Sequence, residues 1–127
     1  MSTLTPYLMV ESARPFVDFV TNVFDAEVSN VVPLPTDPER VVHAEARIGT
    51  GVLFFGDSGP DGGQCQGFPA EPAHIQLWTT VSDAEAAYTR AVASGATPAM
   101  EVTTQDDGSR MGGFIAFGTL WWVNTAA

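Results

Sequence analysis

The sequence contains no lysine, and its five arginines face fifteen acidic residues, which gives a formal net charge of −10. Without a lysine the chain cannot form a Schiff base with a carbonyl substrate, and it cannot build a Walker-type phosphate loop. The negative charge repels phosphate backbones, so we expect no binding to nucleic acid. The same charge favours solubility, and it would also favour a cationic ligand.

Cysteine and long apolar runs are scarce as well. Cys65 is the only cysteine, so no internal disulfide can form, and no histidine lies near it in sequence to activate the thiol. No apolar run approaches the roughly 20 residues that a membrane span needs. The first residues have neither the basic start nor the apolar stretch of a signal peptide. We therefore expect a soluble cytoplasmic protein with no membrane partner and an incidental thiol.

One pattern of segments occurs twice along the 127 residues. An extended run (4–10) leads into an amphipathic helix (12–27), and later a second run (74–81) leads into a second helix (82–96). Three short β-like segments follow each helix. The repeat predicts an α+β fold of two tandem βαβββ modules, whose curved mixed sheets enclose a cleft. We expect one domain, 1–127, with module one at about 3–57, a Gly/Pro-rich linker at about 58–72 and module two at about 73–127.

Turn and cap residues divide the rest of the chain. Ser12 is a candidate N-cap for the first helix, and Ser82 or Asp83 for the second. Pro33 and Pro35 indicate that the strand after the first helix ends early or lies at an edge. The predicted strands are 28–35, 41–49, 51–57, 97–105, 109–117 and 119–125, and the predicted turns are 36–39, 48–51 and 105–109.

The alternation of side chains along the strands predicts which residues face the cleft. In the run at 74–81, Ile75 and Leu77 form an apolar face that should meet a helix. In the strand at 41–49, Ala44, Ala46 and Ile48 fit the helix side, which leaves His43, Glu45 and Arg47 on the other side. Trp121 and Val123 are predicted to face the core. The cleft side is then expected to carry the candidate ligand-binding residues Tyr7, Met9, His43, Glu45, Phe55, His74, Gln76, Trp78 and Trp122.

The order of these segments resembles the vicinal oxygen chelate superfamily, which includes glyoxalases, extradiol dioxygenases, fosfomycin-inactivating enzymes and bleomycin-binding resistance proteins. HAEARIG followed by GVLFFGD, and RMGGFIAFGTLWWV near the C-terminus, are similar to its PhnB-like branch. The resemblance covers essentially the whole chain. It implies paired βαβββ modules and a cup-shaped cavity that is usually completed in a homodimer.

The metal enzymes of this superfamily place one His, Gln or Glu ligand on each of four strands. The corresponding residues here are Thr5, Phe55, His74 and Trp122, so one ligand of four is retained. The usual D-P-F-G turn before the last strand has become IAFG (115–118). A single imidazole does not hold a divalent metal at useful affinity. We therefore expect no metal, no cofactor and no catalytic residue at the position that the resemblance implies.

The aromatic residues of the expected cleft suggest a binding function. They would form a slot for a planar aromatic or cationic compound, although they could also simply fill the cup. The bleomycin-resistance proteins, which protect by binding the drug, supply the model of antibiotic sequestration by a homodimer. The first alternative is a metal-dependent glyoxalase-like lyase or isomerase, or a dioxygenase, with a relocated site at His43, Glu45 and His74. The second is a filled cup that serves only as an interaction module.

Overall fold

The structure, a computed structural model of the chain, describes residues 5–57 and 75–127. Cys65, His74 and the predicted linker from residue 58 onward lie outside the described residues. The secondary structure confirms the predicted α+β fold with two βαβββ modules. The elements in the described residues are β1 (Tyr7–Val10), α1 (Ala13–Phe24), β2 (Glu27–Leu34), β3 (Asp37–Ile48), β4 (Gly51–Asp57), β5 (Gln76–Thr80), α2 (Ala84–Ala93), β6 (Thr97–Thr104), β7 (Arg110–Ala116) and β8 (Thr119–Thr125).

The first sheet has the strand order β1-β4-β3-β2, with β1 parallel to β4 and the other pairs antiparallel. β2 lies at the edge, as Pro33 and Pro35 predicted, because a proline has no N–H to offer a second neighbour. A two-residue turn joins β3 to β4, and Gly49 in this turn has a φ of 60°. The turn predicted at 36–39 is displaced, because Asp37 already pairs with Leu34 and β3 starts there.

The second sheet repeats this topology with the order β5-β8-β7-β6, and β5 is parallel to β8. The predicted turn at 105–109 joins β6 to β7. The Gln105 N–H donates to the Ser109 carbonyl at 2.7 Å, and Gly108 takes a φ of 86° that favours glycine. The two sheets thus have the same order of connections within their modules.

The described residues divide into two compact units, the first holding residues 5–21 and 25–57 and the second holding residues 22–24 and 75–127. In the first unit Phe16, Phe19 and Val20 on the apolar face of α1 are buried, and the ring of Phe16 lies edge-on to Phe55 with centroids 4.7 Å apart. In the second unit Trp121 and Val123 are buried as predicted, and the ring of Phe24 stacks on Trp121. Three alanines of α2 complete the buried face there: Ala84, Ala87 and Ala91.

At the start of each helix, a backbone N–H donates a hydrogen bond to a side chain at the end of the last strand of the same module. Ser12 occupies the N-cap position of α1, but its side chain makes no capping hydrogen bond. Instead, Asp57 Oδ1 accepts from the Ala13 N–H at 2.9 Å, and Asp57 Oδ2 accepts from the Val41 N–H at 2.6 Å. In the second unit Thr125 Oγ1 accepts from the Ala84 N–H at 2.6 Å, while the Asp83 side chain accepts from Ala86. Each helix is therefore tied to the last strand of its own sheet.

No helix in the described part of the chain is long and apolar enough to span a membrane.

We predict that Asp57→Ala lowers the free energy of unfolding by about 2–4 kcal/mol, because it leaves two backbone N–H groups without an acceptor at a buried site. Asp57 is 5% exposed, which places both hydrogen bonds out of water. Urea unfolding followed by circular dichroism measures the change. The matched control is Asp37→Ala, which removes an exposed carboxylate that accepts one backbone hydrogen bond from Glu39. Equal stability losses in the two variants would contradict the role assigned to Asp57.

Candidate functional site

In the first unit, a chain of polar side chains crosses the sheet face opposite the buried alanines of β3. The Tyr7 hydroxyl lies 3.2 Å from Nδ1 of His43, and Nε2 of His43 lies 3.0 Å from Oε2 of Glu45. Tyr7 also reaches the Val42 carbonyl at 3.3 Å. Ala44 and Ala46 are buried on the other side, as the alternation along β3 predicted. The structure therefore brings three predicted site residues of this unit together.

Two further residues belong to this cluster, and the sequence pattern did not identify them. Asn30 donates from Nδ2 to Oε1 of Glu45 at 3.1 Å. The ring of Phe54 lies edge-on to His43, with centroids 5.0 Å apart, and edge-on to Tyr7 at 6.2 Å. Asn30 adopts a φ of 52° between irregularly paired residues of β2, and asparagine tolerates that conformation. Tyr7, Asn30, His43, Glu45 and Phe54 are called the Tyr7 cluster below.

The prediction that Phe55 lies on the cleft side of the sheet, with Tyr7 and His43, is wrong. Phe55 pairs with Ala44, is 0% exposed and packs against Phe16 of α1. Phe54, which pairs with both Tyr7 and Glu45, occupies the position on the open face instead. The two adjacent phenylalanines have equal apolar character, so hydropathy alone does not fix which one is buried.

Hydrogen bonds from His43 and then from Asn30 hold the pKa of Glu45 below its ordinary value of 4.5. The carboxylate is therefore ionised at neutral pH, and Nε2 of His43 must carry the hydrogen in their shared bond. In a neutral imidazole, Nδ1 then accepts from the Tyr7 hydroxyl. In an imidazolium, Nδ1 donates to Tyr7, whose hydroxyl donates to the Val42 carbonyl. Either state leaves every member of this chain with a partner.

In the second unit, two indoles and an amide occupy the corresponding open face of the sheet. Trp122 donates from Nε1 to Oε1 of Gln76 at 2.9 Å. Its ring lies directly over Gly113, where an added Cβ would come within 2.8 Å of two ring carbons. Trp78 is paired with Trp122 across the strands and is 57% exposed. Thus Gln76, Trp78 and Trp122 share one face, as predicted.

The remaining predicted residues have mixed outcomes. Met9 is half-buried on β1 and pairs with Gly56, while His74 lies outside the described residues. Ile75 was expected to meet a helix, but it is 66% exposed because β5 begins only at Gln76. Leu77 is half-buried.

The described donors do not fit the metal site that the resemblance implies. Phe55 and Trp122 offer carbon at two of its four positions, and Thr5 is a half-buried residue before β1. Within residues 5–57 and 75–127, no three His, Cys, Asp or Glu side chains are grouped so that they could hold a metal ion. His43 and Glu45 are adjacent, but they bind each other. We therefore derive no chemical step through a metal.

We predict that His43→Ala raises the pKa of Glu45 toward 4.5, and that Asn30→Ala raises it by less, because the His43 bond is the larger cause of the lowered value. The stabilising effect of a lowered carboxyl pKa is present above 4.5 and is lost as the pH falls through the lowered value. NMR titration of the side-chain carboxyl carbon of Glu45 measures the pKa shift in each variant. An unchanged midpoint in His43→Ala would show that the hydrogen bond does not hold the carboxylate.

Comparison with known proteins assigns the family. The model of the Glyoxalase/Bleomycin resistance protein/Dioxygenase superfamily matches residues 3–122. The uncharacterized protein Mb0911c of Mycobacterium bovis is 31% identical over 114 residues, which cover 86% of this chain and 72% of that protein.

Solved structures agree in fold. The PhnB protein from Bacillus cereus has a TM-score of 0.73 and 18% identity, with coverage of 98% of this chain and 100% of that chain. The fosfomycin resistance protein FosX from Listeria monocytogenes has a TM-score of 0.70 and 14% identity, with coverage of 100% and 95% respectively. At these identities the likeness concerns the fold alone. The family match, which spans residues 3–122, shows that the chain belongs to the Glyoxalase/Bleomycin resistance protein/Dioxygenase superfamily.

Proposed function

We propose that the protein binds a drug-sized compound with a planar aromatic group, without a metal, and sequesters it rather than transforming it. The observation that carries this proposal is the exposed indole of Trp78 beside Trp122 on an open sheet face. A large exposed aromatic ring on a rigid sheet offers a flat apolar surface at little cost in conformational entropy.

The geometry around Trp122 supports a preorganised stacking surface. Its Nε1 is held by Gln76, and its six-membered ring lies on Gly113, so the indole is held from its edge and from one face. Stacking contributes about 0.5–1.5 kcal/mol per aromatic pair beyond the buried area. Two such contacts, together with burial of the ligand, are compatible with micromolar binding, which corresponds to about −8 kcal/mol.

The Tyr7 cluster supports a second contact surface of the same kind. Tyr7 is 48% exposed, and its ring lies beside those of His43 and Phe54. Hydrogen bonds within the cluster hold the rings of Tyr7 and His43 without the help of a ligand. We propose Tyr7, Met9, His43 and Glu45 as ligand contacts in the first unit, and Gln76, Trp78 and Trp122 in the second, with His74 as a further candidate.

The class of ligand is inferred from the family. Its name includes bleomycin resistance proteins, and FosX is named as a fosfomycin resistance protein. Together with the poor fit to a metal site, these names support antibiotic binding as the function of this chain. We further propose that the active form is a homodimer, as the resemblance implies, and that the protein is cytoplasmic.

We predict that tryptophan fluorescence of EDTA-treated protein is quenched saturably by bleomycin or another planar heteroaromatic antibiotic at micromolar concentration. Trp78→Leu and Trp122→Leu should each weaken binding about three- to tenfold, because each removes one stacked ring. The fluorescence titration gives the dissociation constant of the wild-type protein. Because each variant has lost one fluorescent tryptophan, NMR measurements on the ligand give the dissociation constants of the variants.

The matched control is Tyr88→Leu, which removes a half-buried aromatic ring from α2 rather than from the open sheet face. It should leave the dissociation constant within about twofold of the wild-type value. Quenching that appears only after a divalent metal is added, or equal losses in all three variants, would contradict the proposal. The first of these results would favour the metalloenzyme alternative.

A further inference from the structure

A cavity of about 410 Å³ opens to solvent within the second unit, next to the turn that joins β6 to β7. Trp78 lines one side, and the turn and the ends of the strands line the rest. The full set of lining residues is Trp78, Gln105, Asp107, Ser109, Met111, Asn124, Ala126 and Ala127. The cavity therefore combines an exposed aromatic ring with a carboxylate, a hydroxyl and amides.

The sheet register explains how the cavity is formed. Asn124 pairs with Met111 of β7 on one side and with Thr80 of β5 on the other. Thr80 is two residues beyond Trp78, so both project from the same face of β5. Trp78, Asn124 and Met111 consequently lie on one face of three adjacent strands, and they present an indole, an amide and a thioether to the same space.

The turn holds Asp107 at the rim of this cavity. The Ser109 N–H donates to Asp107 Oδ1 at 2.9 Å, and the hairpin is closed by the hydrogen bonds of Gln105 to Ser109 and of Gly108 to Gln105. Hydrogen bonds from the Ser109 hydroxyl and N–H hold the pKa of Asp107 below its ordinary value of 3.8. The cavity therefore carries a fixed negative charge at neutral pH.

The nearest arginine in sequence is already engaged elsewhere. Arg110 forms a 3.0 Å ion pair with Glu85 and donates to Thr104 Oγ1 at 2.9 Å. Both partners draw the guanidinium to β6 and α2. Asp107 instead takes its hydrogen bonds from Ser109, which is neutral. This leaves the carboxylate charge available to a ligand.

We infer that this cavity is a subsite for a small organic cation, an alkylammonium group, that contacts the Trp78 ring and is paired with the Asp107 carboxylate. An ammonium over an indole face is attracted by the ring quadrupole, and a quaternary or alkylated ammonium also buries its methyl groups against Trp78 and Met111. The net charge of −10 raises the local concentration of such a ligand. The cavity volume of about 410 Å³ accommodates an alkylated ammonium group with a short alkyl chain. Binding of this kind does not require the ligand to donate a hydrogen bond.

The inference rests on the proposed function, since Trp78 is common to the stacking surface and to the cavity. In a ligand that carries both groups, the planar part would stack on the indoles and the cationic arm would extend toward the turn. An effect of Asp107 on binding distinguishes the cation subsite from the stacking surface, because Asp107 lines the cavity and is not part of the stacking surface.

The test is an NMR titration of the metal-free protein with choline and, in parallel, with its neutral isostere 3,3-dimethylbutan-1-ol at constant ionic strength. The chain has three tryptophans, so the indole N–H signal of Trp78 is assigned by its loss in Trp78→Phe. Choline should shift this signal saturably, with at least about threefold higher affinity than the isostere. Asp107→Asn should reduce the choline affinity about three- to tenfold and leave the affinity for the isostere unchanged.

The matched control is Asp106→Asn, which removes the same charge from the neighbouring exposed residue that does not line the cavity. It should change the choline affinity less than twofold. Equal binding of choline and its isostere, equal effects of the two aspartate variants, or no saturable shift would each overturn the subsite. If the antibiotic titration succeeds while choline fails, only the cation subsite is wrong, and if both fail, the proposed function is wrong too.

Discussion

Burial of one face of each four-stranded sheet is the constraint on which the rest of the structure depends. Because side chains alternate along a strand, every apolar residue committed to the buried face leaves its neighbours on the open face. In β3 the buried Ala44 and Ala46 place His43 and Glu45 together on the other side. In β8 the buried Trp121 and Val123 do the same for Trp122 and Asn124. The candidate binding residues are therefore a direct consequence of how each core is packed.

Strands with one clear apolar face were predictable from the sequence, and strands without one were not. β3 alternates small apolar residues with polar ones, so the sequence shows clearly which face of this strand is buried. β4 carries Phe54 and Phe55 in succession, and it is Phe55 that is buried, against Phe16 of α1. The role of Asp57 was also hidden, because its two backbone partners lie 44 and 16 residues away in sequence. Interactions of that range have no local signature in a single sequence.

The Tyr7 cluster and the indole pair show why we place binding before catalysis. In the first unit the histidine and the carboxylate hold each other, and Tyr7 and Asn30 form the two ends of the hydrogen-bonded chain. In the second unit Trp122 is fixed by an amide and a glycine rather than by groups that could move a proton. These surfaces offer exposed aromatic rings for stacking with a ligand, whereas a metal at the position that the resemblance implies would need donors that Phe55 and Trp122 do not provide.

The central claim is that the protein holds its ligand intact and without a metal. Native mass spectrometry of EDTA-treated protein mixed with bleomycin or a planar heteroaromatic antibiotic, followed by chemical analysis of the released compound, tests this claim most directly. We expect a complex whose mass is that of protein plus ligand with no metal, and a released compound identical to the one added. A complex that forms only with a bound divalent ion, or a compound that is released chemically altered, would contradict it.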